Sequence, residues 1–395
     1  MCGICGFIGE PTSPDKAHRA LRLIAHRGPD AQDHYLIEDV FLGHARLAII
    51  DLSNAANQPM VSEDNRYIII YNGEIYNFKE LRKELINFGL TFKTSSDTEV
   101  IVNGFSIWGN DIFSKLNGVF GLAIWDKVKK ELTLARDRFG VKPLYYSSQD
   151  GKLAFGSEIK TILEFLPSNL TNHQAFREFL DYGNPLGVQT MFEGIKELSP
   201  GTILTFSKKE IREIRFWDIN SLEPIIVEDE EAIQRTSHAL ENAVKRQLVS
   251  DVPVGVFLSG GIDSSLVTAY ASKHIEGSKL STFTAAFDFD IGINELESAR
   301  RVANHFGTNH HELKVILQGD GGDEFFAGYR RYQLLEKYGS GINRSFFRVL
   351  KLANDSVMPI PSRVRRMISA FGSKDDIELM ALLLTVDTKQ RSAFN

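Results

Sequence analysis

The residue with the clearest chemical capability is the second in the chain. Once Met1 is cleaved, Cys2 carries a thiol and a free α-amine on one residue. Their ordinary pKa values are about 8.5 and about 7.7–8.0. An amine titrating near neutrality can take the thiol proton, directly or through a water, so nucleophile and base coincide and no catalytic histidine is needed. Cys2 is accordingly expected to be inert while Met1 stays attached. Cys2-Gly3-Ile4-Cys5 also has the C-x-x-C form of a redox or zinc half-site. A zinc site needs about two further ligands, and Cys2 and Cys5 are the only cysteines. A thioredoxin-like motif belongs between a strand and a helix, not at a chain start. Cys5 reads as a buried structural cysteine.

A second signal lies at Ser259-Gly260-Gly261-Ile262-Asp263-Ser264-Ser265. It follows an apolar strand over 254–258 and opens a helix over 264–273. Glycines let the backbone approach a phosphate closely, and a helix N-terminus offers free N–H groups and the positive end of a dipole. The loop lacks the lysine of a Walker sequence. A plain strand-to-helix turn is the alternative. Further on, Gln318-Gly319-Asp320-Gly321-Gly322-Asp323-Glu324 is an acidic glycine-rich segment, for which a simple acidic turn is the alternative.

These groups need a scaffold. The first half is dense in strand-like runs at 6–9, 46–50, 67–71, 119–125, 132–135 and 203–206. Phe78, Leu81, Leu85 and Phe88 have helical spacing, which predicts a helix over 77–88 ended by Gly89, and another helix is expected over 97–108. Many strands with few helices suggest an α+β layered domain. The polar, acidic stretch 218–231 contains Pro224 and reads as a linker. A helix over 231–248, the strand 254–258, the glycine loop with its helix and a strand over 282–287 give the rhythm of an α/β domain with a parallel sheet. From Tyr332 onward the chain reads as helical, with a solvated basic patch at Arg363, Arg365 and Arg366.

Two domains suit 395 residues. Hydrophobic content of 43% and charged content of 24% are those of a soluble globular protein. A net charge of −6 gives no reason to expect nucleic acid or an acidic membrane as partner. The longest apolar runs are strand-sized, and the start lacks the basic and apolar regions of a signal peptide. A cytoplasmic location is the simplest expectation.

Several motifs occur together in order: MCGICGFIG, His26-Arg27-Gly28-Pro29-Asp30, GHARLAIIDLS (43–53), YNGEIYN (71–77), SSDTE (95–99), ARDRFGVKPLYY (135–146) and FGSEIK (155–160). This set resembles the class II glutamine amidotransferase domain of the N-terminal nucleophile hydrolases. The resemblance implies an αββα sandwich over 1–210, a linker over 211–230 and an incomplete ATP-pyrophosphatase-type synthetase domain over 231–395. It implies that Cys2 attacks the glutamine amide and that Arg46 clamps the α-carboxylate. Glu74 and Asp97 would hold the α-ammonium, while the Asn72 side chain and the Gly73 N–H would form the oxyanion hole. Singly, Asn72-Gly73 is also a turn signal, Asp97 a helix cap and Arg46 a surface charge. The segment from His26 to Asp30 is expected to be a structural loop beside the pocket.

SGGIDSS resembles the pyrophosphatase loop of enzymes that split ATP to AMP and pyrophosphate, and both halves together resemble the glutamine-dependent asparagine synthetases. ATP contacts are thereby implied for Leu258, Ser259, Gly260, Gly261, Asp263, Ser264, Gln318 and Gly319. Asp263 and Asp323 would hold Mg²⁺, and Asp320 would lie near the acceptor or the attacking ammonia. Glutamine, ATP and a carboxylate acceptor, aspartate by default, are the expected partners, with a homodimer among the expected assemblies. Three departures from the family pattern stand out. Lys314-Val315-Ile316-Leu317 resembles a strand running straight into the acidic loop, without the helical stretch that family members have before it. The chain stops at Asn395, short of the part that carries a catalytic lysine. Gln318 stands where synthetases usually have serine, and some relatives in surface-polysaccharide pathways amidate other carboxylates. A glutaminase with a decayed ATP domain and a non-catalytic assembly module are the competing readings.

Overall fold

The structure is a computed structural model that describes residues 1–166, 170–275, 277, 279–285 and 295–313. The chain divides into two compact units: one holds Met1–Leu170 and Phe192–Ile316, and the described part of the other is Thr171–Met191. In that second part, Asn172 caps the helix His173–Tyr182 by accepting from the Ala175 N–H, and Gly183 ends it at φ +87.

In the first unit, strands buried on both faces dictate the architecture. The strand Tyr67–Ile75 sends Ile69, Tyr71 and Ile75 into one apolar cluster and Ile68 and Ile70 into another. A near-continuous apolar run is what such a two-sided strand requires. It belongs to an antiparallel six-stranded sheet with Met60–Val61, Gly118–Asp126, Glu131–Arg136, Thr202–Ser207 and Glu210–Arg215. A second antiparallel six-stranded sheet runs, in spatial order, Lys196–Glu197, Tyr145–Gln149, Lys152–Gly156, Gly3–Ile8, Val40–Arg46 and Ala31–Ile37.

Ile4, Leu42 and Phe155 from one sheet and Ile68, Trp125 and Leu134 from the other form the cluster between them. Outside the first sheet lie the helices Phe78–Asn87, Asp97–Trp108 and Ile112–Lys115. Outside the second lie Pro14–Leu23 and Ile159–Phe165, packed on Cys5, Phe7 and Phe41. The layers are therefore helix, sheet, sheet, helix, the expected α+β sandwich. Cys5 is fully buried in it, and that burial pushes its thiol pKa far up.

Downstream, Gly255–Phe257, Ser281–Ala285 and Asn309–Leu313 form a parallel three-stranded sheet. The helices Ile262–His274 and Leu296–Phe306 are its crossovers. The helix Asp229–Gln247 packs through Val244 against Ala271 and Leu280. This is the expected α/β pattern. Among the described residues, no helix is long and apolar enough to cross a membrane.

Some boundaries differ from expectation. The strand expected over 46–50 is instead Val40–Arg46, because both neighbouring strands run out there: Gly3 pairs Ala45 and Ala31 pairs Arg46. Residues 211–215 of the expected linker belong to the edge strand Glu210–Arg215, which pairs along its whole length with Thr202–Ser207. The strand expected over 282–287 is described as far as Ala285. The run 314–317 and the helices and basic patch expected after Tyr332 lie outside the described residues.

The loop from His26 to Asp30 lies against the end of Val40–Arg46. Gly28 comes so close that a Cβ there would stand 2.2 Å from the Ala45 carbonyl carbon and oxygen. The Asp30 N–H donates to the Arg46 carbonyl at 3.0 Å. Gly28→Ala is therefore expected to lower stability by about 1–3 kcal/mol through overpacking. Guanidinium titration checks this, and an unchanged midpoint would show that the loop is not seated on the strand.

Candidate functional site

Strand pairing places Cys2. With Gly3 opposite Ala45, the residue before it falls beside Arg46 and Leu47. The Arg27 Nε donates to the Cys2 carbonyl at 3.0 Å, and Arg27 Nη1 is itself held by Glu158 at 3.2 Å. The expected structural loop thus grips the backbone of Cys2. Its Sγ accepts from the Leu47 N–H at 3.3 Å and lies 3.5 Å from the Leu47 carbonyl. Burial raises the Cys2 pKa, against the Leu47 N–H and the nearby terminal amine, which lower it. Burial lowers the pKa of the α-amine, here on Met1. Burial thus favours the neutral form of both groups.

The opposite wall is the strand Tyr67–Ile75. The Tyr71 N–H donates to Gln58 Oε1 at 2.7 Å, and the Tyr71 carbonyl lies 3.1 Å from His44 Nε2. The Ile75 N–H donates to Asp97 Oδ2 at 3.0 Å. Backbone groups two residues apart in a strand point to the same side. The Gly73 N–H, between these two, therefore points the same way, towards the pocket. Gly73 also permits close packing, since a Cβ would stand 2.2 Å from the Val119 carbonyl oxygen. Two buried polar atoms on this wall have no partner: Asn72 Nδ2, a donor, and Glu74 Oε1, an acceptor.

Asp97 opens the helix Asp97–Trp108, but Ser96 caps it by accepting from the Glu99 N–H at 3.3 Å. This releases Asp97 from the capping role that its type suggests. Its Oδ2 accepts from the Tyr71 hydroxyl at 2.9 Å as well as from Ile75. Burial raises the Asp97 pKa, with those hydrogen bonds opposing. Burial, and then the charge of Asp97, raise Glu74 to about 7, with Lys142 pulling it down.

The Arg46 guanidinium is 6% exposed and organises the next loop. Nη1 donates to the Ser53 carbonyl at 2.8 Å and to Asn57 Oδ1 at 2.7 Å, and Nη2 to the carbonyls of Ile50 and Asp51. Both terminal nitrogens are thus engaged by the loop.

Cys2, Arg46, Asn72, Gly73, Glu74 and Asp97 nevertheless line a single pocket. Sequence reasoning missed Lys142, which also lines it. Burial lowers the Lys142 pKa, with the charge of Glu74 opposing. The only signal for Lys142 was its place in the run ARDRFGVKPLYY. Leu47 was missed too, since its contact with Cys2 is made by backbone atoms.

In the parallel sheet, Leu258 is buried and the loop from Ser259 leads into the helix Ile262–His274 with Gly261 as N-cap. Gly260 has φ +80, and a Cβ there would meet the Ala299 nitrogen at 2.6 Å, so only glycine fits. The Ser259 and Ser264 hydroxyls lie 2.9 Å apart and close the loop. Asp263 stands in the first helical turn. Gln318, Gly319, Asp320 and Asp323 lie outside the described residues. Among the described residues, no three His, Cys, Asp or Glu side chains are grouped as a metal site. The loop is thus a glycine turn at a helix N-terminus, and of the two expected Mg²⁺ ligands only Asp263 is described.

Comparison with known proteins agrees with this division of labour. A family described as "Glutamine amidotransferase domain" matches residues 1–217, and one described as "Asparagine synthase" matches 235–315 and 312–358. Asparagine synthetase (glutamine-hydrolyzing) 3 of Bacillus subtilis is 36% identical over 343 residues, covering 81% of this chain and 55% of the relative. Amidase chyE of Penicillium rubens is 32% identical over 405 residues, covering 84% and 60%. Putative asparagine synthetase (glutamine-hydrolyzing) 2 of Methanocaldococcus jannaschii is 31% identical over 445 residues, covering 96% and 85%. This chain thus spans 55% and 60% of the length of the first two. Its two-sheet sandwich falls within the matched glutamine amidotransferase domain, and the chain belongs to the glutamine-hydrolysing asparagine synthetase family.

Proposed function

We propose that this chain releases ammonia from glutamine at Cys2 and delivers it to a carboxylate activated with ATP, giving an amide, AMP and pyrophosphate. The observation that carries the glutaminase half is the pair of buried, unpartnered atoms beside Cys2, Asn72 Nδ2 and Glu74 Oε1. Leaving such groups unpaired costs about 1–3 kcal/mol each. A ligand bearing an amide oxygen and an ammonium satisfies both. With Met1 removed, the Cys2 amine takes the thiol proton and Sγ attacks the amide carbon. Asn72 Nδ2 and the Gly73 N–H receive the developing oxyanion. Glu74 and Asp97 face the α-ammonium. Arg46 faces the α-carboxylate together with the loop it holds. Ammonia leaves with the proton held by the amine, and water then releases glutamate from the thioester.

For the synthetase half, the loop from Ser259 to Ser264 would seat the nucleotide phosphates on backbone N–H groups at the helix N-terminus. Asp263 would hold Mg²⁺, which supplies charge neutralisation on those phosphates when bound. Aspartate is the default acceptor. A second acceptor class is favoured by the relative named an amidase, at 32% identity: another small carboxylate, such as a sugar acid, would use the same activation.

The first test is release of glutamate, AMP and pyrophosphate with glutamine, Mg–ATP and aspartate. Cys2→Ala is expected to abolish glutamate release and to leave AMP formation with ammonium salts intact. Glutamate without AMP would point to another acceptor or to a silent synthetase half. Asn72→Ala is expected to lower the glutaminase kcat by about 10²–10³-fold with KM little changed, as for loss of one oxyanion donor. A change in KM alone would remove Asn72 from that role. Glutamine binding should also depend on pH. Glu74 is anionic above its pKa of about 7 and neutral below it. Glutamine affinity of the Cys2→Ala form, measured by calorimetry, should therefore fall as pH drops through about 7. Glu74→Gln should bind more weakly and lose that step; a step of the same size in the double variant would assign it elsewhere.

A further inference from the structure

The loop after Arg46 is held by contacts from two directions. From its own half, Arg46 takes the carbonyls of Ile50, Asp51 and Ser53, and Asp30 Oδ2 accepts from the Ala48 N–H at 2.8 Å. The Asp51 carboxylate accepts from the Ser95 N–H at 2.6 Å and from the Ser53 N–H at 3.1 Å. Two backbone groups of the loop are instead partnered by Asp251, two hundred residues away. The Asp51 N–H donates to Asp251 Oδ2 at 2.7 Å, and the Asp251 N–H donates to the Ile49 carbonyl at 3.0 Å. Beside this contact, Val249 and Ile50 pack on the same apolar cluster under the Tyr67–Ile75 sheet. Ser250 Oγ accepts from the Val252 N–H at 3.1 Å and shapes the turn that presents Asp251.

Asp51 has φ +53, a left-handed conformation uncommon outside glycine that aspartate adopts more readily than most residues. The carbonyl of this same residue accepts from Arg46. Residues 249–251 fall within the same compact unit as the loop and lead directly into the strand Gly255–Phe257 and the glycine loop.

We propose that Asp251 is a positioning residue for the glutamine site, contributed by the segment that leads into the nucleotide-binding half. It acts through Asp51 and Arg46 and touches no substrate. The proposal rests on the glutaminase reading given above. Without the Asp251 carboxylate, water can solvate the freed Asp51 N–H, although the backbone bond from the Asp251 N–H to the Ile49 carbonyl remains. The loop then loosens while Cys2, Asn72 and Gly73 keep their places. Glutamine binding suffers and the chemical step does not.

The test is glutamate release against glutamine concentration by the 395-residue chain, with Asp251→Ala and Asp251→Asn beside the parent. Loss of the one hydrogen bond made by the Asp251 carboxylate should raise the glutamine KM of Asp251→Ala by about three- to tenfold, with kcat within about twofold of the parent. Protection of Cys2 from alkylation should need a glutamine concentration higher by the same factor. Asp251→Asn should recover part of the affinity, because its amide oxygen still accepts from Asp51. An unmoved KM in both variants would overturn the proposal and leave the glutaminase reading standing. So would kcat and the thermal midpoint falling together at constant KM. No glutamate release by the parent chain would overturn both.

Discussion

The antiparallel pairing of Gly3–Ile8 with Val40–Arg46 is the constraint on which the site depends. It brings the start of the chain against the residue whose guanidinium shapes the next loop. Both strands are buried along their whole length, so a slip of one residue would turn every apolar side chain to the wrong face. That penalty locks the register, and the register puts the Cys2 thiol at Leu47. Arg27 and Gly28 complete the arrangement, one gripping the Cys2 carbonyl and the other letting its loop lie flat on the strand.

Around that anchor, the pocket departs from what stability alone would favour. Asp97 and Glu74 bring two carboxylates to one pocket; burial raises both pKa values, and the charge of Asp97 raises that of Glu74 further. Asn72 Nδ2 and Glu74 Oε1 are left without partners. The surrounding sandwich tolerates this because its two sheets and two helical layers bury three separate apolar clusters. Local cost at a binding surface, offset by a large core, is how a fold keeps groups available for a ligand.

Glycine serves two different needs in the two halves. Gly28 and Gly73 are required because neighbouring backbone lies where a Cβ would go. Gly260 has that constraint and also a positive φ, which carries the strand sharply into a helix and exposes the helix N-terminus. The first use holds side-chain chemistry close to a strand. The second turns the chain at the start of a helix, where the Ser259 and Ser264 hydroxyls hold the loop.

Local pattern in the sequence determined a good deal. The helix Phe78–Asn87 follows the apolar spacing of Phe78, Leu81 and Leu85, and the strand–loop–helix at the glycine loop follows from an apolar run meeting Gly260 and Gly261. Residue type and position marked Cys2, the family resemblance of the motifs marked Asn72, Glu74 and Asp97, and the fold brings all four to one pocket. Other features depend on which distant segments meet. The strand expected at 46–50 ends at Arg46 because its neighbours end there. Arg46 turns its terminal nitrogens to loop carbonyls, Lys142 reaches the pocket from another loop, and Ile49 and Asp51 find their partner in Asp251. The pKa of Glu74 rises because burial and Asp97 coincide there. Periodicity and capping act over a few residues and are written in the chain. Desolvation, register and long-range hydrogen bonds act between surfaces, and exist only once those surfaces are packed.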